Sequence, residues 1–146
     1  MQISKDLRLF EAKPSDRPHI LVWDSPNEAD IEQLCFYNSA ERVNYRETLL
    51  SRVTPGDQFL VLDQYLDREF DAIRSICTCS GKKVVIMEGL DVLITYLSVK
   101  PGGFEKVFWQ RFAALRHLDS VLWILLPERT IPIDWPNSRL MRIEFQ

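Results

Sequence analysis

Cysteine, glycine and long apolar runs are all scarce in this chain, and each scarcity closes off a class of protein. Only three cysteines, Cys35, Cys77 and Cys79, occur in 146 residues, an odd count that argues for reduced thiols and against a disulfide framework. Cys77 and Cys79 form a Cys-x-Cys pair, but no second pair follows, and the only histidines, His19 and His117, lie far away in sequence. A zinc site would lack its remaining ligands, so the pair is expected as small, partly buried residues at a helix end. Five glycines and eight scattered prolines exclude collagen-like and low-complexity chains. The longest pure apolar run, Val121 to Leu126, falls far short of the roughly 20 residues a membrane-spanning helix needs. Met1-Gln2-Ile3-Ser4-Lys5-Asp6 has no apolar segment of the signal-peptide kind, and an intracellular protein (cytoplasm or nucleus) is expected.

What is present is 46% hydrophobic and 27% charged, enough apolar material for one α/β-sized domain spanning residues 1–146. Short apolar runs rich in β-branched and aromatic residues alternate with segments of helical period. The strand candidates are His19 to Asp24, Phe59 to Leu62, Val84 to Met87 and Val121 to Leu126, with edge strands expected at Leu7 to Phe10 and at Leu140 to Phe145. Between them, Ser25-Pro26 reads as a helix start leading to Ile31, Leu34 and Cys35, and Glu41 to Val53 reads as a second helix. Leu66 to Cys77, Leu90 to Leu97 and the strongly amphipathic Phe104 to Leu118 complete the helices. The alternation predicts an α/β fold: a mainly parallel open sheet of about five strands with helices on both faces, in three layers.

In such a sheet, ligands bind beyond the carboxyl ends of the strands. The acids at those positions are Asp24, Asp63, Glu88 and, after Pro127, Glu128. Asp24, Asp63 and Glu88 together would suit a divalent cation for phosphoryl transfer or nuclease chemistry, because hard cations take oxygen ligands. Acids also cap helices at such turns, and that use is the commoner one. The phosphate-binding alternative has no support: the turn after the first long strand, Asp24-Ser25-Pro26-Asn27-Glu28-Ala29-Asp30, contains neither the glycines nor the lysine of a P-loop. A dinucleotide G-x-G-x-x-G is equally absent, the acid, hydroxyl and lysine pattern of a receiver domain is not met, and neither histidine stands in a nucleophile motif.

Charge is divided unevenly. Residues 1–99 carry 11 Lys and Arg against 16 Asp and Glu, whereas residues 100–146 carry 7 against 5. Lys100, Lys106, Arg129, Arg139 and Arg142 could form a small basic face for weak nucleic-acid contact, although a net charge of −3 opposes tight autonomous binding. Four Trp, eight Phe and four Tyr exceed what a core of this size needs, and surplus aromatics mark interfaces. Trp109, which flanks the main apolar stripe, and Trp135, which lies in a proline-flanked loop, are the candidates. The edge strand Leu140 to Phe145, with Met141, Arg142, Ile143 and Phe145 and with Arg139 just before it, offers a second mode, strand addition to a partner's sheet.

One stretch resembles a known family. Val84-Val85-Ile86-Met87-Glu88-Gly89-Leu90-Asp91-Val92-Leu93 is similar to the Walker B strand and following turn of the RecA/KaiC group, with Glu88 at the acid position and Gly89 at the small one. The similarity continues through Phe104-Glu105-Lys106-Val107 and Leu115-Arg116 to Val121 to Pro127, and covers about a third of the chain. Archaeal KaiC-related domains of unknown function and Shu-type recombinase paralogues keep such a core without its nucleotide site. The resemblance implies a RecA-like subunit without a P-loop, cofactor or catalytic residues of its own. It would act through protein contacts with a homologous RecA-like subunit or recombinase, in a DNA recombination or repair assembly. With no phosphate loop, a Walker B role is not carried over to Glu88, and a metal-dependent hydrolase is the alternative.

Overall fold

The computed structural model describes residues 8–51, 66–99 and 101–143. Its elements in chain order are a 3₁₀ turn Leu9–Glu11, β1 His19–Val22, α1 Glu28–Asn38, β2 Ala40–Asn44, α2 Tyr45–Ser51, α3 Leu66–Ser80, β3 Val84–Glu88, α4 Asp91–Ser98, α5 Phe104–Ala113 and β4 Val121–Leu126; two further 3₁₀ turns, Glu128–Thr130 and Asn137–Arg139, precede β5 Leu140–Arg142. The five strands form one sheet in the order β2-β3-β4-β1-β5, and every pairing is parallel.

The expected α/β architecture is therefore present, and its central strands show why it was legible. All residues of β1 and β4 are buried, as a strand covered on both faces requires. On one face, Leu21, Val84, Ile86, Trp123 and Leu125 pack against Ile31 and Leu34 of α1 and against Leu9. On the other, Ile20, Val22, Val85, Met87, Leu122 and Ile124 pack against α2, α3, α4 and α5 through Leu49, Phe70, Leu93 and Phe112. The crossover from β1 to β2 runs one way along the sheet and those from β2 to β3 and β3 to β4 run back, so right-handed connections place α1 alone on its face. Among the described residues no helix is long and apolar enough to cross a membrane.

Four local expectations are corrected. Glu41 to Val53 is not one helix: Ala40–Asn44 is strand β2, in register with β3 from Ala40 opposite Val84 to Asn44 opposite Glu88, and the helix begins only at Tyr45. Ladder bonds to β3 outweigh the helical propensity of Ala-Glu-Arg. The start of α1 is capped not by Ser25 but by Asn27, whose side-chain oxygen accepts the Asp30 N–H at 2.8 Å. The described part of the N-terminal edge strand is a 3₁₀ turn, Leu9–Glu11. Helix α5 ends at Ala113, and the following residues turn onto the 14–18 segment, where the N–H groups of His117 and Leu118 bond to Asp16. The strand expected at Phe59 to Leu62 lies outside the described residues.

His19 opens β1 with no solvent exposure, its ring 5.0 Å from that of Trp123 and its Nε2 bonded at 2.9 Å to the Pro14 carbonyl. Burial is the main cause that pulls its pKa below the ordinary histidine value, so the folded protein holds it neutral. The unfolded chain takes up a proton near pH 6.5 that the folded one resists, so this contribution to stability is complete above about pH 6.5 and lost as the pH falls below it. Thermal melts between pH 7 and pH 5 should show a smaller loss of Tm in His19→Gln than in the native protein; equal losses would contradict this role.

Candidate functional site

The loops that leave β1 and β4 at their carboxyl ends run in opposite directions along the sheet, which makes the crevice between them the topological switch point of the fold. The sheet carries Asp24, Glu88 and Glu128 to this end, as the sequence leads one to expect, whereas Asp63 lies outside the described residues.

Each of these acids already has a partner within the protein. Asp24 Oδ1 accepts the backbone N–H of Glu128 at 2.9 Å, so the residue after β1 caps the turn after β4. Glu128 is held in turn by Arg142, whose Nη2 and Nε lie 3.0 and 3.2 Å from its two carboxylate oxygens. That hydrogen-bonded pairing pulls the Glu128 carboxyl below its ordinary range.

Glu88 is held most fully. It ends β3 on the same sheet face as Arg42 of β2, and α1 covers that face with Glu28 at its first turn. Arg42 presents both edges of its guanidinium: Nε and Nη2 reach the Glu88 oxygens at 2.5 and 3.2 Å, and Nη1 and Nη2 reach the Glu28 oxygens at 2.7 and 2.8 Å. Two bidentate pairs on one guanidinium are the strongest arrangement that planar fork allows. Arg42 and Glu88 are 25% and 22% exposed, while Glu28 is 75% exposed, so the Glu88 side of the clamp is the less screened by solvent. The hydrogen bonds to Glu28 and then Glu88 raise the Arg42 pKa, and the same contact lowers that of Glu28.

The turn after β1 completes the closure. Ser25 adopts a left-handed backbone at φ 50°, and the first turn of α1 carries Glu28 and Asp30. The positive end of the α1 dipole is thus met by carboxylates of the chain itself, not left for an anion. Gly89, just after Glu88, has φ +87°, and a Cβ there would lie 3.0 Å from Asn44 Oδ1 and 3.2 Å from the Arg46 N. The small residue that the sequence places beside the acid is thus required by the close approach of the turns after β2 and β3.

Among the described residues no group of three or more His, Cys, Asp or Glu side chains could hold a metal ion. Cys77 is buried and Cys79 exposed, so they point to different environments and share no ligand site; burial pushes the Cys77 thiol up to about 12.

Comparison with family models, with curated proteins and with solved structures finds no match.

The tryptophans expected at an interface lie inside. Trp109 and Trp135 are 7% and 5% exposed, with ring centroids 5.7 Å apart and nearly perpendicular. The proline-flanked loop folds back onto α5 instead of projecting from it. Arg139, also expected at the surface, is buried and holds this arrangement: its Nε donates to the Pro18 carbonyl at 2.9 Å, its Nη1 to the Ala113 carbonyl at 3.0 Å, and its guanidinium lies 4.7 Å from the Trp135 ring centre. The Trp135 indole N–H returns a bond to the Arg139 carbonyl at 3.0 Å. Of the cations expected on a C-terminal basic face, Arg139 is buried and Arg142 is paired to Glu128, Lys106 and Arg129 are exposed, and Lys100 lies outside the described residues. Met141 and Ile143 are half-buried against the α1 layer, β5 stands at the sheet edge, and Phe145 lies outside the described residues.

Replacing Gly89 by alanine combines a left-handed backbone with a clash against backbone, and should destabilise the protein by about 1–3 kcal/mol in urea unfolding. Gly81→Ala, where φ is +70° but nothing lies within 4 Å, should cost less. Equal costs would show that the close approach of the two turns does not matter.

Proposed function

We propose that this chain is a non-catalytic RecA-like interaction subunit that acts through protein–protein contacts, as an accessory factor of a DNA recombination or repair assembly. The observation that carries the proposal is the state of Glu88: the acid at the Walker-B-like position has Arg42 as its counter-ion, in two bidentate pairs shared with Glu28. A carboxylate so engaged has no call for a magnesium–nucleotide complex, and the turn after β1 has no backbone cradle for phosphates. The similarity of Val84 to Leu93 to RecA/KaiC sequences and the all-parallel three-layer sheet support the family reading. Among the described residues, strands β2 and β5 stand at the two sheet edges, and a short edge strand is a ready site for a partner's strand or loop. A homologous RecA-like subunit or recombinase is the partner this reading names.

The metal-dependent hydrolase reading would require Asp24 and Glu88 to exchange their present partners for a cation. Calorimetric titration with magnesium–ATP should give no saturable binding at micromolar concentrations, and affinity capture from native extract with the tagged chain should retain a recombinase or one of its paralogues. Micromolar ATP binding with hydrolysis that Glu88→Gln abolishes would overturn the proposal.

A further inference from the structure

The opposite end of the sheet, where the parallel strands begin, carries a feature unrelated to the Arg42 clamp. A hollow of about 490 Å³ is lined by Phe10, Tyr37, Asn38, Ser39, Lys82 and Lys83. Phe36, on the adjoining turn of α1, is 79% exposed, and its ring centre lies 5.9 Å from that of Tyr37. Phe10 is 36% exposed, and Lys83 Nζ lies 5.4 Å from its ring centre. Both lysines are exposed.

The chain fixes these groups in place. Asn38 accepts the Leu9 N–H at 2.8 Å and donates to the Leu34 carbonyl at 3.0 Å, which ties the turn bearing Phe10 to the end of α1. Ser39, left-handed at φ 48°, caps α1 with N–H bonds to the Cys35 and Phe36 carbonyls. Gly81 at φ +70° turns the chain out of α3, and Lys82 and Lys83 lead into β3 beside the same hollow. Phe36 stands off the buried stripe of Ile31, Leu34, Cys35 and Asn38, and its ring meets that of Tyr37 edge to face while staying largely in solvent. A large ring so exposed beside another aromatic and two ammonium groups fits a ligand with both a flat π face and negative charge.

We propose that this hollow and the adjoining Phe36 bind single-stranded nucleic acid, with Lys82 and Lys83 meeting backbone phosphates and Phe36, exposed beside Tyr37, offering its face to an unstacked base. Each chemical element has its counterpart: cations along the backbone path and aromatics that any base can stack on. A duplex keeps its base faces inside, and an acidic peptide would use the lysines but leave the rings without a stacking partner. Of the acids beside the patch, Glu11 pairs with Arg8 at 3.4 Å, and Glu32 stands exposed one helical turn before Phe36. The net charge of −3 confines the attraction to this patch. The site does not depend on the reading proposed above, and the ATP and capture experiments can fail while it stands.

Fluorescence anisotropy with a fluorescein-labelled oligothymidylate of about twelve nucleotides, within the site sizes such proteins use, tests it on the full chain at low salt. Saturable binding is expected, with a log–log salt slope of about −1.4 for two phosphates neutralised on a single strand. Phe36→Ala should weaken binding by about fivefold or more at unchanged Tm, and the Lys82→Ala, Lys83→Ala double variant should remove the salt dependence. Absence of saturable binding, unchanged affinity in Phe36→Ala, or displacement by poly-glutamate as effective as by unlabelled oligothymidylate would overturn the proposal, the last assigning the patch to an acidic protein partner.

Discussion

The Arg42 guanidinium ties together three elements at one point: the edge strand β2, the end of its ladder neighbour β3 and the first turn of α1. Their carboxylates, Glu88 and Glu28, converge at the carboxyl end of the sheet, where a parallel α/β fold usually places its ligand. Without a cation between them, the two acids would face one another across a partly desolvated gap. With Arg42 there, the gap is satisfied by the chain itself, and β2 gains a side-chain anchor that its mostly polar sequence could not supply by packing. The Asn27 cap and the Asp24 bond to the Glu128 amide belong to the same closure, each meeting a backbone N–H that would otherwise require water or a ligand, and Gly89 permits the close approach of the turns after β2 and β3.

The parts of the fold that were legible in the sequence are those that write their burial into composition. Strands β1, β3 and β4 are near-continuous apolar runs because both faces are covered, and the amphipathic stripes of α3 and α5 point to the layer they pack against. Strand β2 was not legible: Ala-Glu-Arg-Val-Asn has no strand pattern, since four of its five residues are only half-buried and it is held by ladder bonds and an ion pair. The acid at the end of β3 could be picked out by position, but its partner could not, because Arg42 is 46 residues away in sequence. The inward turn of Trp135 was not legible for a related reason. Prolines on both sides suggested a projecting loop, whereas the indole turns inward to meet Trp109 and the Arg139 carbonyl. Phe36 did leave a signal, as an aromatic outside the buried stripe of its helix.

The two ends of the sheet thus differ in kind. At the carboxyl end, charges are paired internally and the backbone is capped, so little is left for a small ligand to satisfy. At the amino end, rings and ammonium groups are presented to solvent on elements that hydrogen bonds hold still. In the reading proposed above, the sheet serves as the frame for recognition by surfaces, and the closed crevice at its carboxyl end is part of that frame.

The central claim is that Glu88 is satisfied by Arg42, and a double-mutant cycle in urea unfolding tests it most directly. The account predicts that Arg42→Ala and Glu88→Gln together destabilise the protein by less than the sum of their separate effects, with a coupling energy of at least about 1 kcal/mol. Additivity to within about 0.3 kcal/mol, the behaviour of independent sites, would contradict it.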